Sequence, residues 1–189
     1  MPIQLPSLFY DIARTPAVAV GIPLVFGMLN GRITKTSVNT WYPTLRRPAI
    51  EPPRWAFPVC WTALYVAMGL ASHLLVKKHD AALPGSPLKA AADHAFKLYW
   101  LQFALNQAWT PLFFGFKQVG LAFLDIGLLT STTFALTYEA YKVDPRTAYL
   151  LVPYCAWLSL ASYLNGKSRL FKNFLCVPAR VPVSLANDL

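Results

Sequence analysis

Aromatic and polar side chains recur at helical spacing inside four apolar stretches of this 189-residue chain. Side chains three or four positions apart share one face of a helix, so each row predicts such a face. Indole and carboxamide groups together offer flat apolar surface and hydrogen-bonding groups, which suits a flat amphipathic ligand. Three of the stretches contain a full row, and the fourth contains the single residue Asp125. The three rows are Trp61, Tyr65, Met68 and Ser72; Gln102, Asn106, Trp109 and Phe113; and Tyr154, Trp157, Ala161 and Asn165.

Each of these residues alone has a plainer interpretation. Polar groups within apolar helices often hold neighbouring helices together, and aromatic rings often fill the core. Taken together, however, three tryptophans, three carboxamides and one acid are a costly filling for an apolar bundle. The combination therefore favours a binding cavity.

Asp125 is the obvious ionisable group within these stretches. It could carry a proton for a proton-coupled exporter of small molecules, or it could be held by a tyrosine or a helix end near the membrane surface. The three histidines lack partners at metal-binding spacing, so we predict neither a metal site nor a cofactor. Paired catalytic carboxylates and a phosphate-binding glycine loop are not evident, which disfavours acid–base catalysis.

The composition indicates a membrane protein. The chain is 56% hydrophobic and 13% charged, whereas about 25% of the residues in soluble domains are charged. Apolar runs of roughly 18 or more residues are long enough to cross a bilayer. We predict an all-α membrane protein with one domain over residues 1–189, a bundle of five transmembrane helices and a basic tail, 166–189, outside the membrane. The helices are predicted at about 8–29, 56–76, 98–115, 119–140 and 148–165.

The first predicted span is the weakest, because Asp11 and Arg14 interrupt it. Their spacing would let the two side chains pair on one helical face. Small residues elsewhere favour close packing of helices: we predict packing rows at Ala63, Ala67 and Ala71 and at Gly127, Ser131 and Ala135. These rows leave a homodimer open.

The net charge of +9 does not indicate a nucleic-acid partner. Lysines and arginines lie in short connections beside apolar runs, a pattern typical of loops that contact lipid head groups. If the chain crosses the membrane five times, ten of the lysines and arginines lie on the same side of the membrane as the C-terminus, and seven lie on the opposite side. The positive-inside rule then predicts a cytoplasmic C-terminus.

Four blocks of sequence resemble the TspO/MBR family, the translocator proteins also called peripheral-type benzodiazepine receptors. The blocks are WYPTLRRPAIEPPRW, PVCWTALYVAMG, QFALNQAWTPLFFG and VPYCAWLSLASYLN, in order between Trp41 and Asn165. The resemblance implies a five-helix bundle with a cavity beneath the first long loop. It also implies binding of tetrapyrroles such as protoporphyrin or haem, and of sterols, in a multi-pass protein. Eukaryotic members lie in the outer mitochondrial membrane or, in plants, in other endomembranes.

The resemblance also assigns candidate site residues. Trp61 and Trp157 match a tryptophan pair that bacterial relatives need for light-dependent porphyrin breakdown, so they would be catalytic if this chain degrades porphyrin. We expect a receptor or transport protein, with that photochemical enzyme and the exporter as alternatives. The predicted ligand-binding residues are Trp61, Tyr65, Asn106, Trp109, Asp125, Trp157, Ala161, Leu164 and Asn165.

Two departures from the family pattern bear on ligand choice. Leu121 stands where mammalian relatives have a cavity tryptophan, and Gly166 stands where their sterol motif has a tyrosine. Tyr163, between Leu160 and Lys167, still fits the loose sterol pattern. Sterol binding therefore stays open.

The proline-rich loop before the second predicted helix is interpreted as a lid over the cavity. Proline fixes φ, so such a loop loses little entropy when it folds over the bundle. Trp41 and Trp55 would anchor the lid at the head groups. The residues concerned are Pro43, Pro48, Pro52, Pro53 and Pro58, with Arg46, Arg47 and Arg54 facing acidic lipid or porphyrin carboxylates.

Overall fold

The computed structural model describes residues 5–42 and 52–174, with side chains described up to residue 166. Within these ranges the chain is helical and contains no strand. The helices are α1 (Ser7–Arg14), α2 (Pro16–Thr40), α3 (Ala56–Ala81), α4 (Pro87–Thr110), α5 (Val119–Val143) and α6 (Pro145–Phe174), and a π-helical turn, Pro111–Gly115, continues α4. Pro43, Pro48, Arg46 and Arg47 of the predicted lid lie outside the described residues, as do the last residues of the basic tail.

Four of the described helices are long and apolar enough to cross a membrane. They are Pro16–Thr40, Ala56–Ala81, Val119–Val143 and Pro145–Gly166. The helix that contains the predicted span 98–115 does not qualify by hydropathy. It begins at Pro87 and so includes the polar side chains of Lys89, Asp93 and Lys97. The predicted count of five spans is therefore not reproduced by length and apolar character alone.

The prediction of one helix over 8–29 is wrong, because the chain breaks between α1 and α2. Thr15 is extended, with φ −96° and ψ 115°, and Pro16 begins α2. Proline lacks the N–H that a continuous helix would need at this point. The predicted pair of Asp11 and Arg14 is confirmed, with 2.5 Å between Oδ1 and Nη1.

Polar contacts fasten α1 to the ends of α3 and α4. The Arg14 guanidinium donates to Asp80 on α3 at 2.8 Å, and the Tyr10 hydroxyl donates to Asp93 on α4. The ring of Phe9 meets that of Trp100 edge-on, with centroids 4.7 Å apart. The short first helix therefore docks on the bundle and does not extend α2.

The helices also run further than the hydrophobic runs. α2 continues to Thr40 through residues that we predicted as a connection, and α6 continues beyond Asn165 to Phe174. The second predicted loop shrinks to the few residues between Ala81 and Pro87, where the Ser86 side chain caps α4 by accepting from the Lys89 N–H at 3.2 Å. Polar residues past an apolar run can continue a helix, since backbone hydrogen bonding does not require apolar side chains.

The five long helices pack side by side, with α5 between α4 and α6, and α3 in contact with α2, α4 and α6. The backbones of α2 and α3 approach closely at Gly69, where an added Cβ would lie 2.5 Å from the Val20 Cα. In the first predicted packing row Ala71 is buried and Ala67 is half-buried, whereas Ala63 is exposed. The second row is exposed on the outside of α5, so it does not pack against another described helix of this chain.

Candidate functional site

A cavity of about 620 Å³ lies among α2 to α6, at the end of the bundle where α2 ends and α3 begins. Eight of the nine predicted ligand-binding residues line it: Trp61, Tyr65, Asn106, Trp109, Trp157, Ala161, Leu164 and Asn165. The ninth, Asp125, is buried on α5 at 8% exposure but is not among the lining residues. The structure therefore brings together side chains from three of the rows seen in the sequence.

Trp61 lies at the centre of an aromatic cluster on one side of the cavity. Its ring stacks on Tyr65, with centroids 5.4 Å apart. It meets Tyr154 edge-on at 6.2 Å and Trp157 edge-on at 6.4 Å. Trp157 in turn meets Phe57 at 5.6 Å. Residues from α3 and α6 thus form a wide aromatic wall.

A hydrogen-bonded network centred on Asn106 holds this wall in place. The Tyr65 hydroxyl donates to Asn106 Oδ1 at 3.1 Å, and Asn106 Nδ2 donates to the Tyr154 hydroxyl at 2.9 Å. Gln107 Nε2 also donates to Asn106 Oδ1, at 3.1 Å, while Gln107 Oε1 accepts from Asn30 at 2.8 Å. Because these residues come from α2, α3, α4 and α6, the network fixes the cavity wall relative to four helices.

A second aromatic group surrounds the end of α4. The ring of Trp109 stacks on Phe113, with centroids 5.0 Å apart, and Trp41 meets Phe113 edge-on at 5.7 Å. The π-helical turn closes with the Phe116 N–H donating to the Pro111 carbonyl at 2.8 Å. The Ser37 hydroxyl donates to the Phe114 carbonyl at 2.7 Å, which ties this turn to α2.

Two cationic side chains line the cavity where α2 ends and α3 begins. Lys35 lies in the last turns of α2, and Arg54 lies two residues before the first residue of α3. The remaining lining is largely apolar and aromatic. Of the predicted lid anchors, Trp41 packs on Phe113 as described, whereas Trp55 is 69% exposed and does not line the cavity.

Sequence reasoning missed the contribution of α2. A row of its residues lines the cavity: Gly27, Asn30, Gly31, Thr34 and Val38. Their helical spacing was visible in the sequence, but Asn30 and the charged residues after it suggested a connection. Tyr154 was seen as part of a row, but its bond to Asn106 depends on the packing of α6 against α4.

Comparison with known proteins shows that the chain is similar to members of one family of proteins. A model of the TspO/MBR family matches residues 19–170. The chain is 42% identical over 164 residues to the human translocator protein, covering 87% of this chain and 88% of the relative. It is 42% identical over 151 residues to the sheep translocator protein, covering 78% and 85%. It is 33% identical over 159 residues to the tryptophan-rich sensory protein of Cereibacter sphaeroides, covering 84% and 90%.

Proposed function

Because this chain belongs to the TspO/MBR family and is a multi-pass membrane protein, we propose that it binds tetrapyrroles, and also sterols, within its helical bundle. The observation that carries the proposal is the cavity lined by Trp61, Trp109 and Trp157. Ligand pockets in proteins commonly have volumes of about 300–1,000 Å³, with apolar walls and a few placed polar groups. The aromatic faces suit a flat macrocycle or a fused ring system.

In this proposal α4 is the fifth membrane-crossing helix. It packs against both α3 and α5, which are themselves long apolar helices. Its polar residues reduce its hydropathy, but Gln102 and Asn106 are buried inside the bundle and do not face lipid. A helix with a polar inner face can cross a bilayer when its neighbours cover that face. The C-terminus would lie on the cytoplasmic side and, in a eukaryotic cell, the protein would lie in the outer mitochondrial membrane or another endomembrane.

The cations near the end of α2 favour ligands with carboxylates at one edge. Protoporphyrin and haem carry two propionates on one side of an otherwise apolar ring. With the ring against Trp61 and Trp157, the propionates would reach toward Lys35 and Arg54. Charged groups at such an opening remain hydrated, so this pairing orients the ligand more than it adds affinity. The lid is proposed to close over the same opening.

Tryptophan emission tests this function directly. Protoporphyrin titrated into the purified protein should quench emission from the cavity indoles. Trp61→Phe combined with Trp157→Phe should remove most of that quenching. The matched control is Trp55→Phe combined with Trp100→Phe, since neither residue lines the cavity. Equal quenching in the two double variants would contradict binding in this cavity.

The contact between Trp61 and Trp157 favours one alternative, light-dependent degradation of porphyrin. Two indoles with ring centroids 6.4 Å apart could donate an electron to an excited porphyrin bound beside them. The reduced porphyrin would pass that electron to dioxygen and form superoxide, and the indole radical cation would regain an electron from the macrocycle. The macrocycle radical cation would then combine with superoxide to give the oxidised product. The alternative predicts a new absorbing product that accumulates over several turnovers in light with oxygen and does not form in the dark. Bleaching without a defined product would count against it.

A further inference from the structure

A second cavity, of about 410 Å³, lies at the opposite end of the bundle from the aromatic cavity. It is formed where α3 ends and α4 begins, and α1 contributes one side of it. We call it the α1–α4 pocket. Its lining includes Leu5, Tyr10, His79, Ser86, Lys89 and Asp93. None of its lining residues also lines the aromatic cavity, so the two are separate sites.

The α1–α4 pocket lies at the level expected for lipid head groups. The ends of α3 and α5 meet at this end of the bundle, where Lys78 Nζ lies 3.6 Å from Asp144 Oδ2. Tyrosine is enriched at membrane surfaces, because its ring is apolar and its hydroxyl is hydrated. Three exposed tyrosines mark the same end of α5 and α6: Tyr138, Tyr141 and Tyr149.

Lys89 is the cation of the pocket. Its Nζ donates to the His79 carbonyl at 3.2 Å, which holds the ammonium group between the end of α3 and the start of α4. Within the described ranges it forms no ion pair with an aspartate or a glutamate. Two of its three N–H groups therefore remain for a ligand. The plainer interpretation is that Lys89 only caps the carbonyl end of α3.

The acid in the lining is already neutralised. Asp93 Oδ1 accepts from the Tyr10 hydroxyl, and its Oδ2 accepts from Lys97 Nζ at 2.5 Å. Asp80, which does not line the pocket, is held by the guanidinium group of α1. The positive charge of Lys89 is thus left without a counter-ion in the lining. A pocket whose acceptors are occupied and whose cation is not paired suits an oxyanion.

A hydroxyl group and several leucines complete the pocket. The Ser86 hydroxyl accepts from the Lys89 N–H at 3.2 Å and keeps its own proton to donate. Leu5 lines the pocket, and Leu83 and Leu88, close to Ser86 in the chain, are 77% and 42% exposed. Exposed leucines at the level of the head groups can contact acyl chains. Donors for an oxyanion therefore lie beside apolar side chains, as a phospholipid would require.

We propose that the α1–α4 pocket binds a phosphate ester, with Lys89 as its ion-pair partner and the Ser86 hydroxyl as a further donor. Two sources offer this chemistry, the head group of a phospholipid and a soluble glycerol phosphate. The level of the pocket and its leucines favour the lipid. This inference goes beyond the proposed function and does not depend on it, because the pocket is separate from the aromatic cavity.

Native mass spectrometry of the purified full-length protein in detergent tests the pocket. The probes are dioleoyl phosphatidic acid and dioleoylglycerol, which share their acyl chains and differ in the phosphate. Phosphatidic acid should bind about tenfold more tightly, since only it can pair with Lys89. Lys89→Gln keeps a donor for the His79 carbonyl but removes the charge, so it should weaken binding of phosphatidic acid about fivefold. Binding of dioleoylglycerol should not change.

Lys77→Gln is the matched control. Lys77 lies near the same end of α3, is exposed and does not line the pocket. Its substitution removes the same charge and should leave the preference for phosphatidic acid unchanged. Soluble glycerol phosphate distinguishes the two sources: displacement of phosphatidic acid at similar concentrations assigns the pocket to soluble phosphate esters, whereas no displacement assigns it to the lipid.

Equal affinity for phosphatidic acid and dioleoylglycerol on the unaltered protein would overturn the proposal, and this comparison holds even if Lys89→Gln does not fold. Full affinity in Lys89→Gln would show that Lys89 only caps α3. An equal loss in Lys77→Gln and Lys89→Gln would show attraction to surface charge and no pocket. Protoporphyrin quenching should be the same in Lys89→Gln as in the unaltered protein, so failure of this pocket and failure of the proposed function are distinguishable.

Discussion

The ring of Trp61 stacks on the ring of Tyr65 one helical turn later, with centroids 5.4 Å apart. The Tyr65 hydroxyl is held in turn by Asn106 of α4. The orientation of the central cavity indole therefore depends on a hydrogen bond to another helix.

Tyr65→Phe tests this dependence. The change removes the hydroxyl but keeps the ring, so Asn106 Oδ1 retains only its bond from Gln107. We expect a loss of about 0.5–1.5 kcal/mol in the free energy of unfolding and weaker quenching by protoporphyrin. Thermal unfolding in detergent and tryptophan titration measure the two effects. Tyr149→Phe is the control, because Tyr149 is exposed; equal effects of the two variants would contradict the role of the Asn106 network.

Gly69→Ala should destabilise the bundle. Its new Cβ would lie 2.5 Å from the Val20 Cα and 2.6 Å from the Ala19 carbonyl oxygen, and neither backbone atom can move without shifting α2. Overpacking of this kind costs about 1–3 kcal/mol. Thermal unfolding should show a clear decrease in Tm.

Gly127→Ala is the matched control for Gly69→Ala. An added Cβ at Gly127 meets nothing within 4 Å, so the higher helix propensity of alanine should leave the protein unchanged or slightly more stable. A similar decrease in Tm for both variants would show that the close contact of α2 and α3 does not cause the effect.

Acid should release α1 from the bundle. Asp93 lies before the apolar part of α4. Burial raises the pKa of its carboxyl group, but hydrogen bonds from Lys97 and Tyr10 lower the pKa by more, so the pKa stays below its usual value. A carboxyl with a lowered folded-state pKa stabilises the fold above its unfolded pKa of about 3.9. That stabilisation is lost as the pH falls through the lower folded-state value.

Emission from Trp100 can follow this release, because Phe9 of α1 packs against its ring. The acid transition should be absent from Trp100→Phe and should move to higher pH in Tyr10→Phe, which removes one bond that lowers the pKa of Asp93. A transition midpoint that is unchanged in Tyr10→Phe would contradict the proposed link between Asp93 and α1 docking.

Lys35→Gln and Arg54→Gln should weaken protoporphyrin binding, by up to about fivefold for each cation, because exposed ion pairs contribute at most about 1 kcal/mol. The dimethyl ester of protoporphyrin has no carboxylates, so its affinity should be unaffected by either change. Tryptophan quenching measures both ligands. If binding of the ester weakens as much as binding of the acid, the cations do not act through the propionates.

The sequence predicted most of the candidate site because helical spacing determines which side chains share a face. The rows containing Trp61, Asn106 and Trp157 did turn inward, and eight of their twelve residues line the cavity. The other four are buried but do not line it: Met68, Ser72, Gln102 and Tyr154. Helix ends were less predictable: hydropathy located the apolar middle of α4, whereas the helix itself begins at Pro87 with a Ser86 cap. Pro16 indicates a break before α2, but the hydrophobic residues on both sides of it favoured the prediction of one continuous helix.

The sequence by itself determined that this is an all-helical membrane protein of the TspO/MBR family, since composition and local spacing are properties of single segments. Tertiary structure decided which segments meet. Only packing joined Asn106 to tyrosines on two other helices and brought α2 into the cavity wall. It also buried Asn165 without a hydrogen-bond partner among the described residues. These relationships depend on the register and close approach of helices distant in the chain, which no local pattern specifies.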